Sequence, residues 1–272
     1  MTGGVEFEHT HRAVATFVGF LTLILCFAFW RERKENPKLL KLGLVALTMV
    51  VVQGILGGIT VLLELPPAVS MAHLALSMIF FAFVIYLGFR SWPGQPASDE
   101  PCPTGEILPR FGCAIAAGAV YLQILLGGLV RHTREGVVCG TEIPWCHGEI
   151  WPSDIGQIHM LHRYMALLVT LVVLAVTHRA FRQAGGKQRK LARWAAALAP
   201  VLVLTQVLLG VLTVTSAIGL LEVTAHLSVG ALLFADLIIL YLAMGAQVQR
   251  QFPQPRHASV SNLGARVQEV IS

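Results

Sequence analysis

The sequence predicts an all-α polytopic membrane protein, with seven transmembrane helices in two pseudo-repeated bundles of three and four. Three observations carry that prediction. The 272 residues are 55% hydrophobic and only 13% charged, about half the charge of an ordinary soluble domain, and the mean hydropathy is +0.68. Seven runs approach the ~20 apolar residues that a bilayer span requires: 12–30, 42–63, 68–89, 111–131, 157–178, 194–217 and 223–245, here spans A to G. The spans also repeat in order. They lack strand-type alternation, so helices and not barrel strands cross the bilayer.

Span A follows acidic residues and begins "EHTHRAVATFVGFLTLIL"; no small-residue cleavage site closes it, so it reads as a span and not a cleavable signal peptide. Arg31, Arg33, Lys34, Lys38 and Lys41 crowd the loop to B, which carries "QGILGGITV". The B–C turn, "ELPPAV", has no basic residue, and C opens "SMAHLALSMIFF". A Pro-, Gly- and Ser-rich linker over 93–109 holds Cys102 and separates the two halves, 1–92 and 110–246. D contains "YLQILLGGLVRHT", and a long loop with Cys139 and Cys146 leads to E, "QIHMLHRYMALLVTLVVL". Arg179, Arg182, Lys187, Arg189, Lys190 and Arg193 fill the E–F loop. F carries "QVLLGVLTV", the F–G turn "SAIGLLE" is free of basic residues, and G opens "VTAHLSVGALLF". The tail, 247–272, is basic again.

The net charge of +5 is therefore a topology signal and not a nucleic-acid footprint. By the positive-inside rule the basic loops and the C-terminus are cytoplasmic. The N-terminus, the B–C and F–G turns and the D–E loop then lie outside the cell (inner) membrane. In an oxidising compartment Cys139 and Cys146, with Pro144 between them to turn the chain, are expected to form a disulfide. A metal site from Cys139, Cys146 and His147 is the alternative, without a clear fourth ligand. Cys26 and Cys113 read as packing residues.

Spans A–C match E–G in residue type, order and spacing. His11 to His162 is 151 residues, Gln53 to Gln206 is 153, and His73 to His226 is 153. Span D has no partner. The repeat is parallel, since A and E both start outside, unlike the inverted repeats of many transporters.

His11, His73, His162 and His226 each fall about one turn inside the outer ends of A, C, E and G, and so at similar depth. Intramembrane histidines are uncommon and usually partnered or functional. Two imidazoles facing one another across a bundle suit heme iron, which takes one axial nitrogen on each face. Zinc asks for three or four ligands, and each half offers two. One heme site per half is the expectation. Arg12 and Arg163, directly after the A and E histidines, and Arg131 at the outer end of D are candidate propionate contacts. Glu8 stands three residues before His11, on the same helix face; the matching position before His162 is His159. A carboxylate beside a desolvated site can move protons, while an acid at a helix start is also simply favoured by the dipole.

These residues resemble the heme A synthases. The likeness rests on "E-x-x-H-R" (Glu8, His11, Arg12), on "GGLVRHTREGVVCGTEIPWCH" followed by "HMLHR", and on the histidine opening spans C and G; it runs from about residue 5 to 245. The resemblance implies an oxidoreductase that converts the methyl group of its substrate heme O to the formyl group of heme A, in making a terminal-oxidase cofactor. It implies a heme b cofactor on His162 and His226, the substrate heme on His11 and His73, Glu8 as the essential carboxylate, and Cys139 with Cys146 as the cysteine pair of the second-half loop. It implies eight spans, of which these residues show the last seven, with heme O synthase, an electron acceptor and a second copy of the chain as partners within membrane lipid. A di-heme b electron-transfer protein and a non-catalytic heme carrier are the rival expectations. All four histidines near one face argue against conduction across the bilayer.

Overall fold

A computed structural model describes residues 3–64, 66–91, 107–133, 135–153, 155–184 and 190–248. The linker up to residue 106, with Cys102, and the tail from 249 lie outside them. Side chains of residues 3–8, and so that of Glu8, are also outside the description. The described chain is helical throughout its spans: α1 (Gly3–Arg31), α2 (Pro37–Leu62), α3 (Pro67–Ser91), α4 (Ile107–His132), α5 (Gln157–Gln183), α6 (Lys190–Thr215) and α7 (Leu220–Val248). All seven are long and apolar enough to cross a membrane. The chain is a multi-pass membrane protein.

Large apolar side chains face outward, among them Phe17, Phe20, Phe27, Leu122, Leu167 and Leu204. In lipid this costs nothing, because the bilayer tails are as apolar as the side chains. The interior is instead built from small residues that let backbones approach. Ala116, Ala117 and Ala199 pack with Val120, Val169, Val173, Val203, Leu233 and Leu237 in one core. Ala180, Ala192, Ala195, Ala196 and Ala243 pack with Cys113 and Leu240 in a second. Pro37 and Pro67 open α2 and α3, where a missing N–H is harmless.

The two halves differ in closure. Helix α4 packs on α5 and α7, α5 on α6, and α6 on α7, closing a four-helix bundle. In the first half α1 packs on α2 and α2 on α3. Helix α3 joins the halves by packing on both α7 and α4; Tyr121 donates to the carbonyl of Ala75 at 3.4 Å, and Gly128 admits Leu74 and Met71. Since successive helices alternate in direction, the starts of α1, α3, α5 and α7 gather at one end, beside the α4–α5 loop.

Candidate heme-binding site

Each candidate histidine stands near the start of its helix, at that common end. The rings of His11 and His73 are brought together from α1 and α3, with centroids 6.3 Å apart and planes at 72°. Metal–imidazole bonds of about 2 Å on both sides of one ion separate ring centres by roughly 6 Å, so the observed spacing fits a shared iron. His73 Nδ1 is buried without a hydrogen-bond partner, which ring-on-ring packing alone leaves unexplained. In the second half His162 and His226 lie within electrostatic range of one another, and His226 Nδ1 is likewise buried and unpaired. His11 is exposed on α1, whereas His73, His162 and His226 are half-buried. The first-half pair is thus the more open of the two.

Three glutamines and three glycines cradle the rings. Gln53 on α2 donates its amide to the carbonyl of His73 at 2.8 Å and also to Ser77 Oγ. Gln123 on α4 donates to the carbonyl of His162 at 2.9 Å and lies 3.1 Å from its Nδ1. Gln206 on α6 lies 3.3 Å from His226 Nε2. One turn along each helix a glycine leaves room for the ring: a Cβ on Gly57, Gly127 or Gly210 would meet the Cε1 of His73, His162 or His226 at 3.2, 3.0 and 3.2 Å.

The loop before α5 is organised around Arg163. Cys139 and Cys146 form a disulfide, so they do not hold a metal with His147, whose Nε2 instead meets the carbonyl of Val138 at 2.7 Å. Arg163 Nη1 donates to the carbonyls of Glu142 and Trp145 at 3.0 and 3.1 Å and to that of Pro144 at 3.4 Å, inside the disulfide-closed segment. Its Nε donates to His159 Nε2 at 3.3 Å, and the opposite ring nitrogen of His159 meets the carbonyl of Glu135 at 3.1 Å. Glu135, on a short 3-10 turn (Glu135–Val137), accepts the N–H of Ile158 at 2.9 Å and of His159 at 3.4 Å. It thereby caps orphan donors at the start of α5. Gly156, at φ +98°, enters α5 with the cystine sulfurs 3.1 and 3.4 Å from where a Cβ would stand; an L side chain there would be strained and would strike the bridge.

The structure thus gathers His11 with His73 and His162 with His226. Arg163 stands beside the second pair, with Nη1 committed to the loop and Nη2 buried without a partner; that remaining donor is the one available to a carboxylate. Arg12 and Arg131 are exposed at the same end. His159 is a buried brace between Glu135 and Arg163. Among the described residues no group of three or more His, Cys, Asp or Glu side chains is placed to hold a metal ion, so the donor set is one of imidazole pairs, as bis-axial heme ligation requires.

A family model described as COX15-CtaA, cytochrome oxidase assembly protein, matches residues 6–240. The chain belongs to this family. Relatives named heme A synthase include one from Bacillus cereus, 27% identical over 239 residues that cover 87% of this chain and 75% of the relative. Another, from Halalkalibacterium halodurans, is 26% identical over 245 residues, 87% of this chain and 79% of the relative. A third, from Shouchella clausii, is 27% identical over 173 residues, 62% of this chain and 57% of the relative, so that match spans little more than half of the relative's length.

Proposed function

We propose that this member of the COX15-CtaA family is a heme A synthase, oxidising the methyl substituent of heme O to the formyl group of heme A. The observation that carries the proposal is the His11–His73 ring pair, 6.3 Å apart, repeated in sequence and in cradle geometry by His162 and His226. In this proposal His162 and His226 hold a resident heme b, and His11 and His73 receive the substrate heme on the more open side of the protein. Bound heme supplies one-electron redox chemistry at iron.

The chain's own residues do the rest. The imidazole pairs fix each porphyrin's plane and depth. The buried Nη2 of Arg163 is assigned to a propionate of the second-half heme, with Arg131 and Arg12 as further propionate contacts at the same end. Glu8 lies one helical turn before His11 on α1, and its carboxylate is assigned to take up a proton released as the methyl carbon is oxidised. Turning the methyl group into a formyl group takes one oxygen atom, supplied by water, and gives up four electrons and four protons, so the open His11 side admits water and an external electron acceptor takes the electrons. The basic loops support a cytoplasmic C-terminus and an outward-facing site in the inner membrane.

Heme extraction from cells that supply heme O tests the proposal. Formyl-bearing heme is expected with the wild-type chain, and a drop of at least about 100-fold with Glu8→Gln, in the range of a lost proton-transfer group. Heme b alone in every sample, unaffected by Glu8→Gln, would instead describe an electron-transfer protein or carrier.

A further inference from the structure

Where the two halves meet, a groove of about 310 Å³ runs between α3, α4 and α7, on the side of mid-helix away from the histidines. Ala114, Gly118 and Tyr121 line it from α4, Phe234 and Tyr241 from α7, and Ile79 from α3. Arg110 stands four residues before Ala114 on the same α4 face. Its guanidinium lies over the Tyr241 ring, with Cζ 4.6 Å from the ring centroid. The groove is therefore apolar along its walls and has a cation at its mouth.

Its length fits one leaflet. From Arg110 to Tyr121 α4 rises ~16 Å at 1.5 Å per residue, and one leaflet supplies ~15 Å of the ~30 Å hydrocarbon core. At the inner end Tyr121 donates to the Ala75 carbonyl at 3.4 Å and packs on Phe234, with centroids 6.0 Å apart, so α3, α4 and α7 are tied together there.

Arg110 is held in place against α7. A Cβ on Gly245 would stand 2.8 Å from its Cζ and 2.9 Å from its Nε, so a side chain at that position would push the guanidinium away. Nε is buried and has no hydrogen-bond partner among the described residues, a costly state that an anion relieves. Arg110 also sits in the first turn of α4, which holds no acid and where the helix dipole favours an anion over a cation. A second arginine, Arg90 in the last turn of α3, stands about three turns beyond Ile79 on one helix face. Two cations at one end of an apolar groove match an anion joined to a hydrocarbon chain.

We propose that the α3–α4–α7 groove binds one anionic glycerophospholipid, with an acyl chain along Ala114, Gly118 and Tyr121 and the phosphate on Arg110 and Arg90. The orientation proposed from the basic loops puts this headgroup in the cytoplasmic leaflet. The lipid braces the junction between the halves, and the inference does not depend on the heme assignment.

The test is native mass spectrometry of delipidated full-length protein, titrated with phosphatidylglycerol, with phosphatidylcholine of the same chains, and with inorganic phosphate as competitor. Wild type is expected to take one phosphatidylglycerol per chain, roughly 5–25-fold more tightly than phosphatidylcholine, the preference given by one to two arginines beside a headgroup. Arg110→Gln is expected to lower that preference about fivefold. Gly118→Leu points into open space and keeps both arginines. It is expected to weaken phosphatidylglycerol binding roughly tenfold, the effect of displacing about two methylenes from the groove, and it keeps the test valid should Arg110→Gln not accumulate. Gly88→Leu, with equally open space but outside the groove lining, is expected to bind as wild type does. Equal affinity of wild type for the two lipids, or wild-type binding in Gly118→Leu, overturns the inference. Displacement of the lipid by inorganic phosphate alone, the mark of a free-anion site, overturns it as well.

Discussion

A methyl group added to Gly210 would stand 3.2 Å from Cε1 of His226, closer than all but the tightest side-chain contacts. The ring must then move by a few tenths of an ångström, and axial ligation is sensitive to such a shift. Gly210→Ala is expected to lower heme content by roughly tenfold, at the lower edge of what loss of supporting contacts costs. Gly54→Ala, at a glycine with open space around it, is expected to leave heme content unchanged; absorbance of the purified proteins checks both. The histidines themselves were legible in the sequence because an imidazole is conspicuous in an apolar helix. Their glutamines were not all legible: Gln53 and Gln206 emerge from aligning whole helices, but Gln123 sits on the helix without a partner. A search for glutamine four residues before glycine, without regard to the rest of each helix, would have found all three. Glu135 left no sequence signal, since an acid in a polar loop is common and its capping role depends on where the chain folds back.

At the scale of the element, the start of α5 is where loop chemistry meets the buried bundle. Arg163 follows His162 directly and holds the carbonyls of Glu142, Pro144 and Trp145, so the disulfide loop and the histidine share one anchor. Arg163→Ala is expected to speed amide exchange in the 139–146 segment by roughly 10–100-fold, the equivalent of about 2 kcal/mol for lost charge-assisted hydrogen bonds. Arg163→Lys is expected to recover little of this, because a lysine cannot spread its donors in a planar fork. Hydrogen exchange followed by mass spectrometry reads both. The same arginine was anticipated as a propionate contact alone; its loop role could not be read from sequence, because the backbone carbonyls it binds carry no residue-type signature. The helices themselves were well anticipated: most ends reach or run past the expected apolar limits, while α2 ends at Leu62 and α6 at Thr215, just short of the expected 63 and 217. Runs expected at 12–30, 42–63 and 111–131 became Gly3–Arg31, Pro37–Leu62 and Ile107–His132. Apolar runs mark the hydrocarbon-facing length, while backbone hydrogen bonding carries a helix on through polar residues at the interface.

For the whole molecule, the repeat explains why the four histidines gather at one end. Helices that alternate in direction and carry their histidines two apart must present them on the same side, and α3 locks the two halves together through α4 and α7. The halves differ where their proposed tasks differ. The four-helix half half-buries both of its histidines, whereas His11 is exposed at the edge of the first half, an arrangement suited to a heme that stays and a heme that passes through. Electron paramagnetic resonance of the purified, heme-loaded protein tests this division most directly. The account predicts a low-spin, bis-imidazole signal from the second-half heme in wild type, converted to high spin by His226→Ala and by His162→Ala, and left in place by His73→Ala. A low-spin signal that survives His162→Ala or His226→Ala when each is combined with His73→Ala, which removes the first-half imidazole pair, would contradict it.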